Sequence, residues 1–202
     1  MPLLILLTAF LALGQEVEIQ APWLTVYDAT GRPRWEVTLE RLAKTEEGWE
    51  GEEVEVRLYW EGERKFLLFA PRIQADKLGR NWTLSGDITG KAADLELFCR
   101  SATWGGSLRL TGLSAQGEEL SLVADSAAWS GGNNVSLLGV RAQTKGWEVE
   151  LEEADYKLDT GVLSGRSARL VGHGFEIEAE EIRIFVQEDR VELKGAHVLP
   201  YP

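Results

Sequence analysis

Carboxylates, imidazoles and a single thiol are the side chains whose spacing could support chemistry. Three acids crowd one point, Glu152, Glu153 and Asp155. Two carboxylates a few ångströms apart are what a glycosidase needs, one as acid and one as base or nucleophile. The same crowding recurs at Glu180 and Glu181, and acids fill alternate positions at Glu148, Glu150, Glu176 and Glu178. Recurrence at one place in each copy of a pattern marks a solvated face rather than an active site. His173 and His197 each stand without a second ligand at metal-binding spacing. No G-x-S-x-G elbow exists. Gly172-His173-Gly174 opens a dinucleotide fingerprint that Phe175, Glu176 and Ile177 fail to complete. Cys99, the only cysteine, sits at an apolar position and cannot form an internal disulfide. The expectation is a non-enzymatic chain with no metal site and no cofactor.

The elements that carry these residues are copies of one pattern, clearest in WEVELEEADYKLDTGVLSG at residues 147–165. Trp147, Val149 and Leu151 alternate with glutamates, and the apolar positions then slip by one place to Ala154 and Tyr156. Alternation with period two is a half-buried strand. A slip of one residue would turn every later side chain to the other face, so a bulge or corner must restore the facing. The pattern h-x-h-x-h-x-x-h-x-h begins six times, at 35, 66, 95, 120, 147 and 175, a spacing of 25 to 31 residues. Most copies are joined by a second motif, apolar-x-apolar-x-Gly, as in Leu58-Trp60-Gly62, Leu108-Leu110-Gly112 and Val135-Leu137-Gly139. The copy at 147 is followed only by Leu163 and then Gly165, a residue suited to a left-handed or closely approached backbone. Such a period marks units that bury their apolar faces against neighbouring copies.

The 202 residues suffice for one array, residues 15–202, and show no composition break. A net charge of −12 excludes nucleic acid as a partner, because phosphates require a basic surface. Residues 2–14 are almost wholly apolar, but the run is about eleven residues, roughly half of what spans a bilayer. Ala12 and Gly14 supply small residues before Gln15, so residues 1–14 are expected to be a signal peptide or a short anchor. The stretch from Thr38 to Glu50 could form a helical stripe, but its agreement with the repeat selects strand. The expected fold is all-β: an open, folded-over antiparallel sheet of about six strand-pair repeats, with a parallel β-helix as the other arrangement considered.

Large aromatic groups occupy the inward positions: Trp35, Phe66, Trp104, Trp129, Trp147, Tyr156 and Phe175. The aliphatic inward positions include Leu68, Leu97, Leu122, Val149, Leu151 and Ile177. Two readings stand side by side. These residues fill a closed core, or the layers gape and the same residues line a groove for an acyl chain.

The motif Y-D-x-x-G-x-P-x-W, here Tyr27, Asp28, Gly31, Pro33 and Trp35, is followed by Ala154-Asp155-Tyr156 and the apolar-x-Gly repeats. In this order the motifs resemble the LptC family of periplasmic lipopolysaccharide transport proteins, and the later repeats resemble the LptA and OstA group. The resemblance covers the chain after residue 14 and implies an open β-jellyroll with lipid tails in its groove. It further implies a periplasmic location, possession of lipopolysaccharide or a related glycolipid as ligand, receipt from an inner-membrane ABC transporter, and end-to-end β-augmentation with an LptA-like bridge protein. The implied docking edges lie near Trp23, Val26 and Tyr27 at one end and near Val191, Leu193 and Val198 at the other.

Overall fold

In the computed structural model the described residues are 18–20, 22–188 and 190–200, and the expected signal peptide or anchor lies outside them. Period-two patterning is realised as strand throughout, arranged as thirteen antiparallel rungs of one bent sheet. The first rung holds β1 (Glu18–Gln20) and β2 (Trp23–Tyr27), and the second holds β3 (Pro33–Thr38) and β4 (Arg41–Lys44). Next come the long strands β5 (Gly48–Trp60) and β6 (Glu63–Asp76). Two interrupted rungs follow, β7 (Trp82–Ser85) with β8 (Ile88–Ala92), then β9 (Leu95–Cys99) with β10 (Ser101–Trp104). Six bent strands come after these: β11 (Leu108–Gln116), β12 (Ser121–Trp129), β13 (Asn134–Thr144), β14 (Trp147–Lys157), β15 (Val162–Gly172) and β16 (Phe175–Phe185). The last rung is β17 (Arg190–Lys194) with β18 (His197–Pro200). The segment that could have been helical forms β4 and the start of β5.

Each rung bends once, so the sheet folds into two leaves. The first leaf contains β2, β3, β8, β9 and β18, and the second contains β1, β4, β7, β10 and β17. Every long strand gives one half to each leaf. The bend explains the slip in the apolar pattern. Along β12, Leu122 and Ala124 are buried before it and Ala127 and Trp129 after it, with two consecutive outward residues between. The pairing register is unchanged across the bend: Val123 pairs with Arg141 and Ser126 with Leu138. Facing is therefore restored in both partners at once.

Alternate rungs make this corner with a left-handed residue: Glu53, Gly86, Gly112, Gly139, Ser167 and Gly195 all have positive φ. Gly139 is required twice over. Its φ is 61°, and a Cβ there would lie 2.3 Å from Asp125 Oδ2, because Asp125 folds across it from the neighbouring strand. Two glycines of the repeat motif have other roles. Gly62 shares with Glu61 the tight turn between β5 and β6, and the corner of that rung is Glu53. Gly165 is not left-handed; its Cβ would approach Glu153 O to 2.7 Å, and the corner of its rung is Ser167.

Inward side chains from both leaves interleave in one apolar core running from the second rung to the twelfth. Thr144 is the one buried polar residue among the described residues. The leaves are offset where their free margins meet. Arg34, on the second rung, donates from Nη2 to Gly106 O at 2.9 Å, in the turn joining the sixth and seventh rungs. Trp60, on the third rung, packs against Gly131, in the turn joining the eighth and ninth. This offset is the twist natural to a sheet of L-residues.

Candidate functional site

The candidate groove is the space between the leaves, and its residues are brought together by the two-residue period of each rung. Trp35, Phe66, Leu68, Leu97, Trp104, Leu122, Trp129, Val149, Leu151 and Tyr156 are all buried. Trp82, reached through the second motif rather than the first, belongs with them. Its ring stacks on Trp104 with centroids 6.1 Å apart and meets Trp35 edge-on at 6.4 Å. Phe66 of the first leaf meets Trp129 of the second at 5.1 Å, so the middle of the interior is filled by side chains from both leaves. Trp129 donates from Nε1 to Gly132 O at 2.9 Å, whereas Trp82 Nε1 is buried without an acceptor among the described residues. Burial also pushes the Tyr156 hydroxyl upward, with the nearby Asp94 charge adding to the effect.

Toward the last rungs the interior opens. Trp147 and Ile177 are only half-buried, and Phe175 is 49% exposed although it lies in the same inward row. The Trp147 ring meets His173 at 5.1 Å, at the tight turn between β15 and β16. Between the margins lies a gap of about 180 Å³, bounded by Thr144, Lys145 and Trp147 on the first leaf and by Ile184, Phe185, Val186, Arg190 and Val191 on the far side. Arg34, stacked 5.1 Å from the Trp104 centroid, and Trp60 close the margin nearer the first rungs.

The sheet ends in two edges. At the first, Trp23 is 67% and Tyr27 51% exposed, while Val26 is half-buried. At the last, Val191 and Val198 are exposed and Leu193 is half-buried against the core. Among the described residues each edge strand is paired along one side only, β2 with β3 and β18 with β16, and carries apolar side chains, the arrangement that accepts an added strand.

The acids considered for catalysis lie outside. Asp155 accepts from Asn134 Nδ2 and Ser136 Oγ, each at 2.9 Å, and Glu152 and Glu153 are exposed at the corner. Outward acids elsewhere form cross-strand ladders, such as Arg169 with Glu150 and Glu176. The Cys99 thiol is pushed up to about 11 by burial, which keeps it protonated and unreactive. Tyr59 is raised to about 12 by burial and by the hydrogen bond it donates to Glu36. Among the described residues no group of three or more His, Cys, Asp or Glu could hold a metal ion. No helix there is long and apolar enough to cross a membrane.

No protein-family model matches this chain, and no curated protein matches it in sequence. Among solved structures it is similar to that of LptH from Pseudomonas aeruginosa, described as the LptA-homologous periplasmic component of the conserved lipopolysaccharide transport device. That likeness has a TM-score of 0.30 at 12% identity and covers 68% of this chain and 95% of that one.

Proposed function

We propose that this chain is a non-enzymatic periplasmic bridge segment that carries lipopolysaccharide or a related envelope glycolipid. In this reading it receives the lipid from an inner-membrane ABC transporter complex and passes the acyl chains between its leaves toward the outer membrane. One observation carries the reading: the apolar interior is continuous and almost free of polar groups, and the rungs that enclose it end, among the described residues, in two edges paired along one side only. Burying acyl methylenes there contributes about 0.8 kcal/mol each, so a few tails suffice to hold an anionic glycolipid on an acidic protein. The gap beside Trp147 is the place where a chain would enter, and Phe175 and Ile177 would guide it. The edge strands would join an LptA-like bridge protein through backbone hydrogen bonds, with Trp23, Val26 and Tyr27 at one end and Val191, Leu193 and Val198 at the other.

A second reading, a ligand-free structural repeat protein joined through the same edges, is favoured by the filled interior around Phe66 and Trp129. Photo-crosslinking separates the two. A crosslinking residue at Trp147 or Trp129 is expected to capture envelope glycolipid, and one at the outward Glu148 is not. Absence of capture at both inward sites in folded protein would overturn the transport reading and leave the structural one.

A further inference from the structure

The outer face of the second leaf carries a concavity of about 570 Å³ that neither the interior nor the edges use. Its floor is the sheet itself, with β5, β6, β7, β10 and β11 lying side by side. One register row crosses it: Glu50 pairs with Gln74, Gln74 with Thr83, Thr83 with Thr103, and Thr103 with Arg109. The residues alternating with this row turn inward, Trp82 and Trp104 buried and Trp49 and Ala75 half-buried, so the outward side chains on the floor are polar. Gly48 and Gly105 lie along its margin, where a Cβ on Gly48 would come within 1.9 Å of Ala75 O on the neighbouring strand.

The row has an ordered chemistry. Glu50 at one end accepts from Gln74 Nε2 at 3.1 Å, which leaves its second oxygen and the Gln74 amide oxygen as acceptors. Thr83 and Thr103 each bring a hydroxyl that both donates and accepts. Arg109 at the other end is exposed and has no carboxylate partner among the described residues, so its donors face solvent. Asp76, at the rim, is already committed to the turn: it accepts from the backbone N–H groups of Leu78, Arg80 and Asn81.

Acceptors at one end, hydroxyls in the middle and donors at the other do not suit a simple anion or cation, which needs one sign throughout. With no apolar side chain facing outward on the floor, they do not suit an acyl chain either. A saccharide offers donors and acceptors along its whole length, and sheet faces are established platforms for oligosaccharides. Five strands at the usual separation make a row about 19 Å long, and the volume lies in the range of ligand clefts, about 300–1,000 Å³. The geometry points to a binding site for an uncharged, extended glycan lying across these five strands. The inference does not depend on lipid passage through the interior.

The test uses the full chain, isotopically labelled, titrated with chitotetraose, cellotetraose, inorganic phosphate and dodecyl maltoside while amide NMR shifts are followed. At least one tetrasaccharide is expected to shift the amides of residues 74–76, 81–83 and 103–105. A Thr83→Val/Thr103→Val double variant keeps the branched shape and strand preference while deleting both hydroxyls, and should weaken binding by about tenfold. Arg109→Gln should weaken it severalfold, and Arg141→Gln, which lies on another row, should bind like the unaltered chain. Failure of both tetrasaccharides to shift these amides would overturn the inference. So would equal binding by the double valine variant, or the same shifts from phosphate alone or from dodecyl maltoside alone.

Discussion

Trp60 is the side chain whose removal tests most directly how the interior is reached. It lies at the margin where the two leaves meet, and a Cβ on Gly131 would come within 2.2 Å of its ring. At 42% exposure, somewhat more than half of its surface is covered. A fully covered tryptophan buries about 200 Å², so the covered part is about 110 Å², and at about 25 cal/mol per Å² it contributes close to 3 kcal/mol. The unfolded chain already hides part of that area. Trp60→Ala is therefore expected to cost about 2 kcal/mol, seen as a lower urea midpoint with unchanged slope. If tails enter by parting the leaves here, the same loss raises the open population by up to about thirtyfold. Entry through the gap beside Trp147 instead leaves the Trp60 margin closed, so stopped-flow uptake of a fluorescent amphiphile such as N-phenylnaphthylamine should keep its original rate in both Trp60→Ala and Trp60→Phe. Uptake that accelerates in step with the lost stability would refute entry beside Trp147 and place it at this margin.

Other expectations follow from the same geometry. Gly139→Ala should destabilise the fold by about 2 kcal/mol or more, from the left-handed backbone and the displaced Asp125 side chain. Ser167→Gly, at the equivalent corner, should be neutral to stabilising by up to about 1 kcal/mol, and chemical denaturation of the pair checks both. Cys99, buried and held up to about 11, should resist iodoacetamide at pH 8 in the folded protein and react once urea unfolds it. Glu181 is held below its usual range by the hydrogen bond and charge of Lys194 on the last rung, so its stabilising contribution exists above the unfolded value and is lost as pH falls through the lower folded one. Lys194→Ala should thus lower the unfolding midpoint at pH 7, and the difference should vanish in acid. Residues 18–65 carry twelve acids against seven bases and residues 146–202 thirteen against six, so joining of two copies through their edges should strengthen with salt in sedimentation experiments.

How much of this was legible in the sequence depends on the range of the interaction that decided it. The inward rows of β9, β12 and β14 were readable because Leu97, Leu122 and Val149 obey a period set within one strand. The corner was readable too, as a slip between Leu151 and Ala154, because every rung bends at the same level. What marks the corner was only partly readable. Gly112 and Gly139 do so by composition, but Glu53 and Ser167 adopt the same left-handed backbone with ordinary side chains, and nothing local distinguishes them. Gly62 followed the motif and belongs to a hairpin instead, since a tight turn and a corner ask for the same residue.

The openness of the interior lay beyond any local pattern. Phe66 and Phe175 each open a copy of the motif and both lie in the first leaf, yet Phe66 is 2% exposed and Phe175 is 49% exposed. The difference comes from the offset between leaves, which sets the second rung against the turn after the sixth and the third against the turn after the eighth. With that shift, the last rungs of the first leaf extend beyond the rungs that would cover them. A sheet that twists this way can fill its middle with Phe66 and Trp129 and still leave Trp147, Phe175 and Ile177 accessible at one end. A filled centre and an accessible end are then products of one twist, and the transport reading requires only that the packed middle yield to a chain admitted where the packing is already loose.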